Sequence, residues 1–194
     1  MILPAHKALY VRVMKTASTS LIKTLRHNAV PIKRLVTRKH VPKSELGDLN
    51  HPWMKHIRLV AGEEMYESYF KFAFVRNPWD YTVSRWKMAQ AYPKTGAYKR
   101  PFNEWVCSWG ETGGLQPMSD IVNGCDWVGR FENIQADFDT LCDKLNIPTC
   151  ELFMTNRSGR RKYHYTDYYE KDSVDIVETR FAADIEQYNY TFGK

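Results

Sequence analysis

A cation and four hydroxyl groups occur together in the six residues Lys15 to Ser20, whose sequence is Lys-Thr-Ala-Ser-Thr-Ser. These residues directly follow a β-prone run at 8–13, and apolar residues at helical spacing follow them from Leu21 onward. An ammonium group, hydroxyls and the unpaired amides of a helix N-terminus together suit a phosphate-like dianion. The pattern therefore predicts a strand, an anion-binding loop and a helix that begins with a hydroxyl N-cap.

The loop contains no glycine, so it is not the GxxxxGK[ST] loop of nucleoside triphosphatases. The alternative interpretation is an ordinary helix cap that is rich in Ser and Thr. Its position directly after a buried-type strand favours the anion site.

A second turn of this kind follows the apolar run at 71–75, which is typical of a strand that is buried on both faces. Arg76 comes directly after this run, Asn77 is a predicted N-cap and Pro78 suits the first helical position. Seven steps of 100° from Asn77 bring Ser84 to within about 20° of the same helix face. Ser84 and the start of this helix, predicted over 78–91, can therefore face one ligand. The alternative is a capped helix without a ligand.

Periodicity and turn residues predict the remaining elements. They are a short strand at 34–39, helices at 57–69, 102–109, 134–145 (capped by Asn133) and 174–188, a strand at 127–131 and an exposed loop at 110–114. Strands that alternate with helices predict an α/β protein with a parallel sheet.

Four blocks of the sequence resemble successive blocks of the sulfotransferases that use 3′-phosphoadenosine-5′-phosphosulfate (PAPS). The resemblance is to the branch of Golgi carbohydrate sulfotransferases and their small bacterial relatives. The blocks are VRVMKTASTSL, KFAFVRNPWDYTVSRW, WVGRFENIQADFDTLCDKLNIP and YHYTDYYEKDSVDIVETRFAADIEQYNYTF, in order from about residue 8 to 192. The resemblance implies an α/β, P-loop-kinase-like, three-layer fold, with a central parallel sheet flanked by helices in a single domain over residues 1–194.

The resemblance also assigns site residues. It implies that the first loop binds the 5′-phosphosulfate end of PAPS and that the second turn binds the 3′-phosphate. The cofactor-binding residues that it implies are Lys15, Thr16, Ala17, Ser18, Thr19, Ser20, Arg76 and Ser84, with Arg160 and Arg161 of a late basic loop added to the 3′-phosphate site. For Arg160 and Arg161 the alternative is a solvated run of charges. The family usually has proline directly before the lysine, whereas this chain has Met14.

Two residues are expected to act in the transfer step. Negative charge develops on the bridging oxygen of the leaving phosphate, and the Lys15 ammonium would stabilise it by on the order of 3 kcal/mol. His40 resembles the histidine of a Lys-His pair in the bacterial relatives, and a histidine with a pKa of about 6.5 is suited to take the acceptor's proton. The alternative is a surface histidine on a basic loop, with an Asp or Glu as the base; His51 and His56 are poorer candidates, because they fall in an insertion relative to the family. PAPS is the expected donor and PAP (3′-phosphoadenosine-5′-phosphate) the product, and no metal is expected.

Two other function classes fit parts of the sequence. A small nucleotide or metabolite kinase would hold ATP on the same strand-loop-helix unit, but the loop lacks glycines and no magnesium-binding aspartate follows an apolar strand. A basic nucleic-acid-binding module would use the segments 29–56 and 157–162, but the charges are scattered along the chain. The acceptor is left open, with a sugar hydroxyl implied first by the resemblance, and the oligomeric state is left open too.

The composition sets the remaining expectations. With 194 residues, 43% of them hydrophobic, the chain is long enough for one globular domain and is not intrinsically disordered. Its 28 basic and 22 acidic residues give a net charge of +6, which favours an anionic partner. No apolar run approaches the roughly 18 residues of a membrane span, and no secretion signal is evident. We therefore expect a cytoplasmic protein with reduced cysteines and with neither a membrane nor a nucleic acid as partner.

Overall fold

The computed structural model describes residues 1–36, 53–91, 99–112, 116–153 and 163–194, without the side chains of 109–112. The chain divides into two compact units. The first comprises Met1–Val75 and Asp120–Arg157, and the second comprises Arg76–Ser119 and Ser158–Lys194. The single domain expected over residues 1–194 stays a prediction.

The first unit contains a four-stranded sheet in the order β1-β2-β3-β4. The strands are β1 (Ile2–Leu3), β2 (Ala8–Val11), β3 (Phe70–Val75) and β4 (Trp127–Arg130). β1 pairs with β2 in the antiparallel sense, whereas β2, β3 and β4 run parallel. The predicted α/β class with a central parallel sheet is therefore confirmed, and the antiparallel strand β1 makes the observed sheet mostly parallel. The carboxyl ends of β2 and β3 lie at the same edge of this sheet, because Val11 pairs with Ala73.

Aromatic packing explains why the central strands have an almost continuous apolar sequence. β2 is buried at all four positions, and the Tyr10 ring stacks on Phe72 with centroids 4.8 Å apart. Phe74 contacts the edge of Trp127 at 5.5 Å. Gly129 lies beneath this pair, where an added Cβ would be 2.6 Å from a ring carbon of Phe74. Any larger residue at this position of β4 would therefore push the two rings apart.

Nine α-helices occur in the described residues. They are α1 (Ser18–His27), α2 (Met54–Ala61), α3 (Glu63–Ser68), α4 (Pro78–Gln90), α5 (Phe102–Thr112), α6 (Met118–Val122), α7 (Ile134–Leu145), α8 (Lys171–Arg180) and α9 (Ala182–Tyr188). In the first unit, α1 and α7 bury Leu21, Leu25, Phe138 and Leu141 in one core with the sheet.

Several predicted boundaries are wrong. The helix predicted over 57–69 is two helices, because Gly62 at φ +77° separates α2 from α3. The last predicted helix is divided at Phe181 into α8 and α9. The loop predicted at 110–114 begins inside α5. Of the strand predicted at 34–39, residues 34–36 form no strand, and 37–39 lie outside the described residues. Asn133 occupies the N-cap position of α7, but its side chain makes no capping hydrogen bond in the described part of the chain.

A buried carboxylate holds the start of α6 in the second unit. Asp184 is fully buried and accepts hydrogen bonds from the Met118 amide at 3.2 Å and from the Ser119 amide at 2.9 Å. The Ser119 hydroxyl also donates to this carboxylate, at 3.3 Å. Asp184 therefore caps a helix that lies 66 residues away in sequence.

We expect Asp184→Ala to destabilise the protein by about 2–3 kcal/mol, because the buried Met118 amide and the half-buried Ser119 amide lose a charged acceptor. This loss corresponds to a fall in melting temperature of roughly 4–12 °C for a chain of this length. Thermal unfolding measures it, with Asp175→Ala as the control, since Asp175 forms an exposed pair with Lys171. Equal melting temperatures for the two variants would contradict the capping role.

The four cysteines, Cys107, Cys125, Cys142 and Cys150, form no disulfide with one another. Burial raises the pKa of the Cys142 thiol to about 12, and this side chain is fully buried in the core of the first unit. Among the helices of the described ranges, none has both the length and the apolar character needed to cross a membrane.

Candidate functional site

The loop after β2 has an unusual backbone that is closed by its own hydroxyl group. Lys15 and Ala17 both adopt left-handed conformations, at φ +62° and +58°. Between them, the Thr16 hydroxyl is fully buried and donates to the Val13 carbonyl at 3.0 Å. These features turn the chain sharply from β2 into α1.

The predicted hydroxyl N-cap of α1 is wrong. The N-cap residue is Ala17, and no side chain in the described part of the protein caps this helix there. The reason is that the Thr16 hydroxyl bonds backward to Val13 and is used to close the loop. The first helical hydrogen bond runs from the Leu21 amide to the Ala17 carbonyl, at 3.1 Å.

The amino end of α1 is chemically suited to an anion. The amides of helical positions 18–20 precede the Leu21 amide, which is the first intrahelical donor, and the helix dipole places partial positive charge at this end. Ser18 and Ser20 are buried, whereas Lys15 and Thr19 are half-buried. The predicted residues Lys15 to Ser20 therefore lie together in one turn and its following helical turn, in the first unit.

A second cation contacts this loop, and the sequence analysis missed it. The Arg12 guanidinium donates to the Ser18 hydroxyl at 3.4 Å. Arg12 directly follows the buried strand β2, and a charged residue at that point was the available signal. The first loop thus has two basic residues, Arg12 and Lys15, on either side of its apolar Val13 and Met14.

The turn after β3 begins the second unit and is capped as predicted. The Asn77 side-chain oxygen accepts from the Trp79 amide at 3.1 Å and from the Asp80 amide at 3.3 Å. Pro78 is the first residue of α4. The Asn77 side-chain nitrogen also donates to the carbonyls of Thr191 (3.3 Å) and Lys194 (3.2 Å). Asn77 therefore connects the start of α4 to the last described residues, a contact that no local pattern in the sequence indicates.

Arg76 is 7% exposed and paired with a carboxylate. Its Nε donates to Asp80 Oδ2 at 2.7 Å, and its Nη2 lies 2.5 Å from the same oxygen. Ser84, also 7% exposed, lies one helical turn beyond Asp80. Asp80 and Ser84 thus lie four residues apart on one face of α4, and Arg76, which precedes the helix, pairs with Asp80. The sequence analysis missed Asp80, although opposite charges four residues apart were a visible signal.

Three predicted site residues lie outside the described residues. They are His40, Arg160 and Arg161. The proposed base and the late basic loop therefore stay predictions. In the described ranges, no three His, Cys, Asp or Glu side chains form a group that could hold a metal ion.

Chemically, each turn places a cation shortly before a helix that carries hydroxyl groups. In the first unit these are Lys15 and the hydroxyls at the start of α1, and in the second unit they are Arg76 and Ser84, the seventh residue of α4. Both arrangements suit a phosphate or sulfonate group, and each turn directly follows a parallel strand of the same sheet.

Comparisons with known proteins bear on the whole chain. The family model described as "Sulfotransferase family" matches residues 1–191. An uncharacterized protein from Archaeoglobus fulgidus is 28% identical over 102 residues, which cover 50% of this chain and 82% of that protein. No solved structure matches the chain. The mostly parallel α/β architecture is consistent with the P-loop-like fold of sulfotransferases. Since the family model covers almost every residue, this chain belongs to the sulfotransferase family.

Proposed function

We propose that this protein transfers a sulfuryl group from PAPS to an acceptor hydroxyl. The observation that carries the proposal is the loop between β2 and α1, where Lys15 precedes a helix N-terminus that has Ala17 as its N-cap residue. In a member of the sulfotransferase family, a charged loop at this position suits the sulfonate-bearing end of the donor.

The two ends of the donor would contact different turns. The amides and hydroxyls of residues 16–20 would bind the 5′-phosphosulfate, with Lys15 at the bridging oxygen. Arg76 and Ser84 would bind the 3′-phosphate, since an arginine offers several donors in one plane to a phosphate group. Arg160 and Arg161 would add further positive charge there.

In the donor, a bridging oxygen joins the sulfuryl group to the 5′-phosphate. The bond between sulfur and this oxygen would break while a bond forms between sulfur and the acceptor oxygen. Lys15 would stabilise the negative charge that develops on the phosphate oxygen, which remains on PAP. His40 would take the proton that leaves the acceptor hydroxyl. The acceptor class that we propose is a sugar hydroxyl, and the cytoplasmic localisation stays a prediction.

We expect His40→Ala to lower kcat by about 10²–10⁴-fold, with little change in the affinity for PAP, because a general base acts only on the transfer step. Steady-state kinetics and PAP titration measure the two quantities separately. His27→Ala is the matched control, since His27 is an exposed histidine on α1. An unchanged kcat would assign the proton transfer to another residue.

A thermal shift experiment with PAP, ATP-Mg and a short DNA duplex tests the proposed function. PAP at 100 times its Kd should stabilise the protein by about 2.7 kcal/mol, which raises the melting temperature by roughly 5–10 °C. A larger shift with ATP-Mg would indicate a kinase. A shift with the duplex alone that disappears at high salt would indicate a nucleic-acid-binding module.

A further inference from the structure

We propose that Asp80 is a positioning residue that orients Arg76 and thereby makes nucleotide binding depend on the 3′-phosphate. The inference rests on the proposed function, because it assigns the 3′-phosphate to Arg76. It concerns only residues of the second unit. Asp80 itself is not proposed to contact the phosphate.

The contacts of Asp80 fix both its backbone and its carboxylate. Its amide donates to the Asn77 side chain at 3.3 Å, as part of the cap of α4. Its Oδ2 accepts a hydrogen bond from the Arg76 Nε at 2.7 Å and lies 2.5 Å from the Arg76 Nη2. Two nitrogens on one edge of the guanidinium thus meet one oxygen, so the plane of the guanidinium group is defined.

Burial keeps this pair in one arrangement. The Arg76 and Asp80 side chains are 9% and 13% exposed. An arginine side chain that is exposed samples many rotamers, and a phosphate that binds it must select one of them. Since Asp80 already holds Arg76, a phosphate would meet an arginine whose orientation is set before binding.

The charge of Asp80 and its contact with Arg76 predict opposite effects on the binding of PAP. A carboxylate beside an anion site repels the anion, so by charge alone its removal should tighten the binding of every anionic ligand. Orientation predicts the opposite result, and only for ligands whose phosphate reaches Arg76. The two effects therefore have opposite signs in one experiment.

The test compares the dissociation constants of PAP and of adenosine 5′-phosphate (AMP), which differ only in the 3′-phosphate. Calorimetric titrations are made with the wild type, Asp80→Asn and Asp80→Glu. We expect Asp80→Asn to lower the preference for PAP over AMP by about 10-fold, as for other groups that orient a ligand-binding side chain, with the AMP affinity little changed. Asp80→Glu should restore part of the preference, because it retains a carboxylate that can reach the guanidinium.

The matched control is Asp172→Asn, which removes an exposed carboxylate from the first turn of α8 and so reproduces the change at a helix N-terminus. Its preference for PAP should equal that of the wild type. An unchanged or increased preference in Asp80→Asn would overturn the role of Asp80 and leave the proposed function in place. If the wild type itself binds PAP no better than AMP, the 3′-phosphate site is wrong and the role of Asp80 fails with it.

Discussion

Replacing Lys15 with alanine is expected to lower kcat for sulfuryl transfer by about 10²–10³-fold, as when one group that stabilises transition-state charge is removed. The affinity for PAP should fall much less, because the backbone amides and the hydroxyls of α1 are retained. The measurement is the steady-state rate of PAP formation at saturating donor.

The fold of this variant should survive. Lys15 is half-buried and adopts φ +62°, and both lysine and alanine carry a Cβ, so the cost of the left-handed conformation is unchanged. Lys15→Gly is a useful second variant, since glycine adopts this conformation without strain and should be equally inactive and no less stable. Lys23→Ala, which removes an exposed lysine from α1, should retain full activity. Wild-type kcat in both Lys15 variants would refute the catalytic role of the ammonium group.

Replacing Arg76 with alanine is expected to weaken PAP binding by about 100-fold, because charge-assisted hydrogen bonds contribute roughly 1.5–3 kcal/mol each. The affinity for AMP should hardly change. Ser84→Ala should have a smaller effect of the same kind, since a neutral hydroxyl contributes only about 1 kcal/mol.

Stability has to be separated from binding in the Arg76 variant. Removal of the guanidinium leaves the Asp80 carboxylate without this partner at a nearly buried position, and breaking such a pair costs about 3–5 kcal/mol of stability. The double variant Arg76→Ala, Asp80→Asn removes the carboxylate charge and should recover much of this stability while PAP binding stays weak. Arg180→Ala, at the exposed end of α8, is the control for loss of one positive charge. If the double variant binds PAP as the wild type does, Arg76 does not bind the 3′-phosphate.

Local signals were sufficient to predict much of the fold. The start of α4 was predictable from Asn77 and Pro78. The Asn77 side chain caps amides two and three residues further on, and the proline ring restricts φ at the first helical position, so both effects are local. β2 and β3 were visible as apolar runs because parallel strands are covered on both faces. Elements that depend on distant pairing were not visible. β1 has only two residues and is defined by its pairing with β2, and Asp184 caps α6 across 66 residues.

The candidate site was predictable in composition but not in detail. The positions of Lys15 and the hydroxyls follow from the sequence, whereas the left-handed Ala17 and the bond from Thr16 to Val13 depend on how the loop closes. A Ser/Thr-rich segment usually caps its own helix, whereas here the Thr16 hydroxyl donates to the Val13 carbonyl before the helix begins. Asp80 was overlooked because an acidic residue in the first turn of a helix is already favoured by the helix dipole.

A crystal structure of the protein with PAP bound tests the central claim most directly. We predict that the 5′-phosphate lies within hydrogen-bonding distance, about 3 Å, of the amides of residues 16–20, with the Lys15 ammonium beside it. In the same molecule, the 3′-phosphate should contact the Arg76 guanidinium and the Ser84 hydroxyl. A nucleotide bound elsewhere, or one whose 3′-phosphate occupies the Lys15 loop, would contradict this assignment.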